Sequence, residues 1–152
     1  MNKLALVFAV NLLVSFSASA AQYVSLKSNK AFLRAGPSKD YTIKWIYKQK
    51  GEPLQLIASN DEWRKVRDYK GDVGWMHQSV VSEKIRGAVV KASSPVVLYR
   101  SASEESKKML RVEPSVRLYI KKCEQRWCKV KVDNFVGWIQ SRNLWGDVSY
   151  KR

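Results

Sequence analysis

Two cysteines, Cys123 and Cys128, and a single histidine, His77, are the side chains best suited to covalent or metal chemistry in this 152-residue sequence. A thiolate hydrolase needs its cysteine beside a positioned imidazole, and a structural zinc site wants four ligands. Two Cys and one His do not make that set, and His77 lies in the other half of the chain. The cysteines are five positions apart across a predicted hairpin, where facing residues come within reach of a disulfide. In an exported chain such a pair is expected to be oxidised. Closing so short a loop contributes about 2 kcal/mol in the chain-entropy picture. A Ser-His-Asp arrangement would have to use His77, for which the sequence marks neither an oriented partner nor an oxyanion loop. Asp61-Glu62 and Glu104-Glu105 are adjacent acids on polar loops and read as solvated. No Gly-rich phosphate loop is present. The expectation is a disulfide, no catalytic residue, no metal and no cofactor: a non-enzyme.

Binding chemistry is better supplied. The chain carries 28 Lys+Arg against 13 Asp+Glu, a formal net charge of +15, with six Trp and seven Tyr. Trp63, Tyr69, Tyr99 and Trp127 read as walls of a binding groove flanked by Lys and Arg. The competing reading has them fill small barrels or the interface between barrels. Trp75 and Trp138 are expected in the core. The densest basic cluster is Lys121, Lys122, Arg126, Lys129 and Lys131. A basic surface with interleaved aromatics suits an anionic envelope polymer, an anionic lipid surface or single-stranded nucleic acid. Export places nucleic acid well behind, and a protein-docking role remains a close alternative.

Export is read from the N-terminus. Asn2-Lys3 gives a positive head, Leu4 to Phe16 an apolar run broken only by Asn11 and Ser15, and Ala18-Ser19-Ala20 the small-x-small pattern of a cleavage site. The run is too short to serve as a membrane anchor. Residues 1–20 are therefore expected to form a signal peptide cleaved after Ala20, leaving a periplasmic or secreted protein with no transmembrane anchor.

The elements that must position these side chains occur twice. Trp63-Arg64-Lys65-Val66 followed by Val73-Gly74-Trp75-Met76 has a counterpart in Trp127-Cys128-Lys129-Val130 followed by Val136-Gly137-Trp138-Ile139. Trp63 and Trp127 lie 64 residues apart, and Trp75 and Trp138 lie 63 apart. A period of that size means one small unit used twice. The units are placed at 21–84 and 87–152. Without residues 1–20 and their Lys3, a split at Arg86/Gly87 gives +6 to the first and +8 to the second, so the charge belongs to both. Val24 and Leu26 alternate with Ser25 and Lys27; Leu54, Leu56 and Ala58 with Gln55 and Ile57; Val116, Leu118 and Ile120 with polar neighbours. These are period-2 patterns of short, half-buried strands. Cys128, Val130 and Val132 share the face better suited to a core, with Trp127, Lys129 and Lys131 on the other. Gly36-Pro37, Gly51-Glu52-Pro53, Lys70-Gly71-Asp72 and Asp133-Asn134 supply turns. Short helical turns are expected at His77 to Val81 and Gln140 to Leu144. The fold class is all-β: two tandem small barrels of about five or six strands each.

The series Phe32-Leu33-Arg34-Ala35-Gly36-Pro37-Ser38, Trp63-x-x-Val66 and Gly74-Trp75 resembles a bacterial SH3-like (SH3b) domain. The second unit repeats it as Leu98-Tyr99-Arg100-Ser101-Ala102-Ser103, Trp127-x-x-Val130 and Gly137-Trp138. It departs at Ser101-Ala102-Ser103, so its opening loop is expected to differ in shape. The resemblance implies a non-catalytic module of the cell envelope that binds peptidoglycan stem peptides or docks an envelope protein. Together with the higher charge of the second unit, it leads to an expected division of labour. Arg34, on the intact loop of the first unit, would contact carboxylates with Trp63 or Tyr69 as apolar wall. Lys121 and Lys122 of the second unit would add a less specific cationic surface.

Overall fold

The computed structural model describes residues 21–149; the expected signal peptide lies outside the described residues. Fourteen strands are present among them. The first seven are β1 (Tyr23–Leu26), β2 (Ala31–Arg34), β3 (Ile43–Tyr47), β4 (Pro53–Asn60), β5 (Trp63–Arg67), β6 (Val73–His77) and β7 (Val81–Ser82). The second seven are β8 (Gly87–Val90), β9 (Val96–Tyr99), β10 (Lys108–Val112), β11 (Arg117–Glu124), β12 (Trp127–Val132), β13 (Phe135–Gln140) and β14 (Leu144–Gly146). They build two antiparallel sheets of identical topology, β3-β2-β6-β5-β4-β1-β7 and β10-β9-β13-β12-β11-β8-β14. Seven strands exceed the five or six expected, because a short strand after each 3-10 turn closes onto the first strand of its unit. Those turns, Gln78–Val80 and Ser141–Asn143, fall where the sequence placed them.

Each sheet wraps its own core. The first buries Val24, Leu26, Leu33, Leu54, Val66 and Met76. The second buries Val90, Leu98, Leu118, Ile120, Val130, Ile139 and both cysteines. Strand alternation explains the choice, since Cys128, Val130 and Val132 are buried while Lys131 between the last two is exposed. Bulges at Leu56/Ala58 and Ile120/Lys122 shift the register of the two long strands, sharpening the bend a small closed sheet needs. At the β12–β13 hairpin Val132 faces Phe135, and Asp133 adopts a φ of 50°.

Trp75 and Trp138 do not belong to the core. Their neighbours Gly74 and Met76, and Gly137 and Ile139, take the inward parity, so both indoles face outward and are half-buried. A Cβ on Gly74 would lie 2.6 Å from Leu33 Cγ, and one on Gly137 2.7 Å from Leu98 Cγ. The glycines thus make room for a leucine and for the β2 or β9 backbone, and the tryptophans cap the outside. Lys65 lies 5.9 Å from the Trp75 ring and Lys122 5.5 Å from Trp138.

The two opening loops share one shape, contrary to the expected difference. Ser38 N and Ser103 N bond to Gly36 O and Ser101 O, and Ser38 Oγ and Ser103 Oγ accept from Asp40 N and Glu105 N. Ser101-Ala102-Ser103 fits because the turn depends on the serine hydroxyl, which both loops keep. The structural equivalence puts Tyr99, not Arg100, in the place of Arg34: Arg34 pairs with Trp75 and Tyr99 with Trp138.

Candidate functional site

In the second unit the β11–β12 turn, the 100–107 loop and the 3-10 turn Ser141–Asn143 converge on a groove of about 400 Å³. Trp127 forms its apolar wall, and its ring meets Tyr99 edge-on at 5.5 Å and 88°. Arg126, Arg142, Ser103, Gln140 and Ser141 also line the groove. The two acids that line the groove are held by neighbours. Glu104 accepts from Gln140 Nε2, and Glu105 accepts from the Ser103 hydroxyl, which keeps its carboxyl below the usual range. Neither Arg126 nor Arg142 has a carboxylate partner among the described residues. The arrangement offers two guanidiniums beside an indole, which is suited to a ligand carrying carboxylates next to apolar groups.

The disulfide positions this wall. Cys123 and Cys128 are cross-strand partners joined by an S–S bond of 2.00 Å, and the turn they bracket carries Arg126 next to Trp127. Ser141 N donates to Arg126 O at 2.8 Å, tying the same turn to the 3-10 segment.

At the matching end of the first unit, Trp63 meets the His77 ring at 5.5 Å. His77 Nε2 lies 3.5 Å from Glu62, and its Nδ1 accepts from Ser79 N. Arg64 donates to Asp61 O and to Gln78 Oε1, both at 2.7 Å. Side chains of the unit itself therefore satisfy the polar groups around Trp63. The strand register places Arg64 where the second unit has Cys128, and Glu62 where it has Arg126.

The remaining expected site residues are spread out. Arg34 Nη1 donates to Lys39 O and Tyr41 O, both at 2.8 Å, so its guanidinium clamps its own loop. Tyr69 sits in the turn beyond the far end of β5 from Trp63 and packs on Trp145 of the second unit at 5.9 Å. Lys121 and Lys122 are exposed on β11, and Lys122 pairs with Glu124. Of the four aromatics, Trp127 lines the groove and Tyr99 packs edge-on against its ring. Arg142, Gln140 and Ser103 were not singled out as site residues; the helical-turn signal at Gln140 to Leu144 was the cue that could have drawn attention to the first two. Among the described residues no group of three or more Cys, His, Asp or Glu is placed to hold a metal ion. No helix there is long and apolar enough to cross a membrane.

No curated protein matches the sequence. Among solved structures, NlpC2 from Trichomonas vaginalis is 12% identical with a TM-score of 0.38, over 89% of this chain and 50% of its own. NlpC1 from the same organism is 12% identical with a TM-score of 0.37, over 91% and 50%. An NlpC/P60 family protein from Bacillus cereus is 14% identical with a TM-score of 0.37, over 82% and 56%. The chain thus spans about half the length of these structures. The family described as Bacterial SH3 domain matches the sequence itself twice, over residues 27–83 and 92–146. One match falls on each seven-stranded sheet, and the chain belongs to the bacterial SH3 domain family, which it carries as a tandem pair.

Proposed function

We propose that this protein is a non-catalytic, exported module of the cell envelope that binds the peptide portion of peptidoglycan through the Trp127 groove. The observation that carries the reading is the placement of Arg126 and Arg142 beside Trp127, both without a carboxylate partner among the described residues. Stem peptides present carboxylates interleaved with short apolar side chains. Paired guanidiniums take the first as forked, charge-assisted bonds, and an indole takes the second. Family membership and the signal-peptide pattern of residues 1–20 support an envelope setting. The disulfide supports a binding role, because it occupies both thiols and stiffens the groove wall. The structural weight for specific contact thus moves from Arg34, whose Nη1 is committed to its own loop, to the second unit.

The test is retention on purified, protein-stripped sacculi at two salt concentrations. Trp127→Ala, and Arg126→Ala combined with Arg142→Ala, are expected to lower retention at both. Arg34→Ala is expected to act only through loop stability. Full retention by both groove variants overturns the assignment. Retention that vanishes once wall-bound proteins are stripped indicates a protein partner instead.

A further inference from the structure

The two units meet over a second cavity, of about 270 Å³, that the groove does not use. Its walls are β3 and the 68–72 turn of the first unit, with Val89, Ser115 and Arg117 of the second. We propose that this seam cavity is a carbohydrate site that takes one pyranose ring of an uncharged glycan against Trp45.

Trp45 is the first observation. It stands opposite Leu33 in the β2–β3 register, and Leu33 is fully buried, yet Trp45 keeps 53% of its surface exposed. The indole passes the edge of the core and lines the cavity rather than filling the barrel. Tyr47 and Tyr69 line the same space, and both rings are held. The Tyr47 hydroxyl donates to Asp68 Oδ2 at 2.6 Å, and Tyr69 leans on Trp145. Two braced tyrosine rings and the half-exposed Trp45 indole around one cavity form a stacking platform.

Charge selects the ligand class. The lining carries Glu52, Asp68 and Asp72 against Lys48, Lys70 and Arg117, three of each sign in a chain of net charge +15. Arg117 pairs with Glu52, and Asp68 also accepts the backbone amides of Lys70 and Asp72 at 2.9 Å each. With its one arginine spent on Glu52, the spot keeps no free guanidinium to grip a carboxylate, unlike the Trp127 groove. What it offers is aromatic faces edged by polar donors and acceptors. A flat hydrophobe would strip water from Asp72 and Lys70 without replacing their hydrogen bonds. A pyranose meets both demands. The C–H bonds of one ring face are weakly positive and lie well on a π-face, while its hydroxyls both donate and accept. The cavity is near the lower limit of small-molecule sites and has room for one ring, with the rest of a glycan outside.

The experiment is an amide and indole NMR titration of the full mature chain with four uncharged trisaccharides, built from glucose (α- and β-linked), mannose and N-acetylglucosamine. The Trp45 indole resonance is assigned as the one lost in Trp45→Phe. At least one trisaccharide is expected to shift it saturably, Trp45→Ala to weaken that binding at least about tenfold, and Trp127→Ala to leave it unchanged. Should Trp45→Ala fold poorly, Asp72→Asn reads the same loss through the hydroxyl contacts. No movement of the Trp45 indole with any of the four, or binding indifferent to these substitutions, overturns the proposal. The trisaccharides carry no carboxylate, so that failure leaves the peptide groove standing, and sacculus retention of groove variants fails separately.

Discussion

Ser25 Oγ accepts a hydrogen bond of 3.0 Å from the backbone amide of Gly87, the first residue of β8. Ser25 is buried on β1, although strict alternation with Val24 and Leu26 had assigned it to solvent. The bond joins the two sheets across their seam, where Arg117 also pairs with Glu52, Tyr119 donates to Lys50 O and Tyr23 meets Trp145 at 5.3 Å. A Cβ at Gly87 would lie 1.9 Å from Gly51 O, so only glycine allows this approach.

Ser25→Ala is expected to lower stability by about 1–3 kcal/mol, because it leaves a buried amide without an acceptor. Gly87→Ala is expected to cost more and to uncouple the units. Urea unfolding followed by probes in each unit measures this; a single unshifted transition for Gly87→Ala would contradict it.

Gly74→Ala and Gly137→Ala each drive a Cβ to 2.7 Å from a backbone carbonyl, that of Arg34 or of Tyr99. Each is expected to destabilise its own unit by about 1–3 kcal/mol through overpacking. Hydrogen exchange resolved by residue should show the loss confined to β2 and β6 in one variant and to β9 and β13 in the other.

Reduction of Cys123–Cys128 is expected to remove about 2 kcal/mol from the second unit and to loosen the Trp127 wall. The check compares urea midpoints with and without reductant alongside sacculus retention. Reduced protein with wild-type retention would refute the positioning role of the bond.

Burial, the hydrogen bond to Asp68 and the nearby carboxylates raise the Tyr47 phenol well above its ordinary value. Burial and Asp147 raise Tyr23 as well. A raised phenol stays protonated in the folded chain while its unfolded counterpart ionises near pH 10. Stability from these residues is thus complete below about pH 10 and falls as pH rises past it. Tyr47→Phe should flatten the alkaline limb of the stability–pH curve; an unchanged slope would contradict the assignment.

Lys121 and Lys122 are exposed, and screening limits their reach to about 10 Å at 0.1 M salt. Lys121→Glu with Lys122→Glu is expected to weaken sacculus retention at low salt and to matter little at high salt. Equal loss at both would assign them specific contacts.

The repeat, the strand class, the hairpin turns and the disulfide were legible in the sequence, because each depends on neighbours in the chain. Period-2 burial is set by backbone geometry, and a hairpin brings Cys123 to Cys128 whatever the rest of the protein does. Side-chain type alone groups Trp63 with Tyr69, but Trp63 opens β5 and Tyr69 lies in the turn beyond its far end. Likewise Trp75 and Trp138 were assigned inward on residue type, whereas the parity of Gly74 and Gly137 decided otherwise. Whether a guanidinium is committed or available depends on partners that the fold supplies. Arg34 meets the carbonyls of a loop that folds back on it, while Arg126 and Arg142 come from separate turns to line the same groove as Trp127. Local periodicity fixes which face of a strand is buried; only closure of the sheet, and of one unit against the other, decides which polar ends meet.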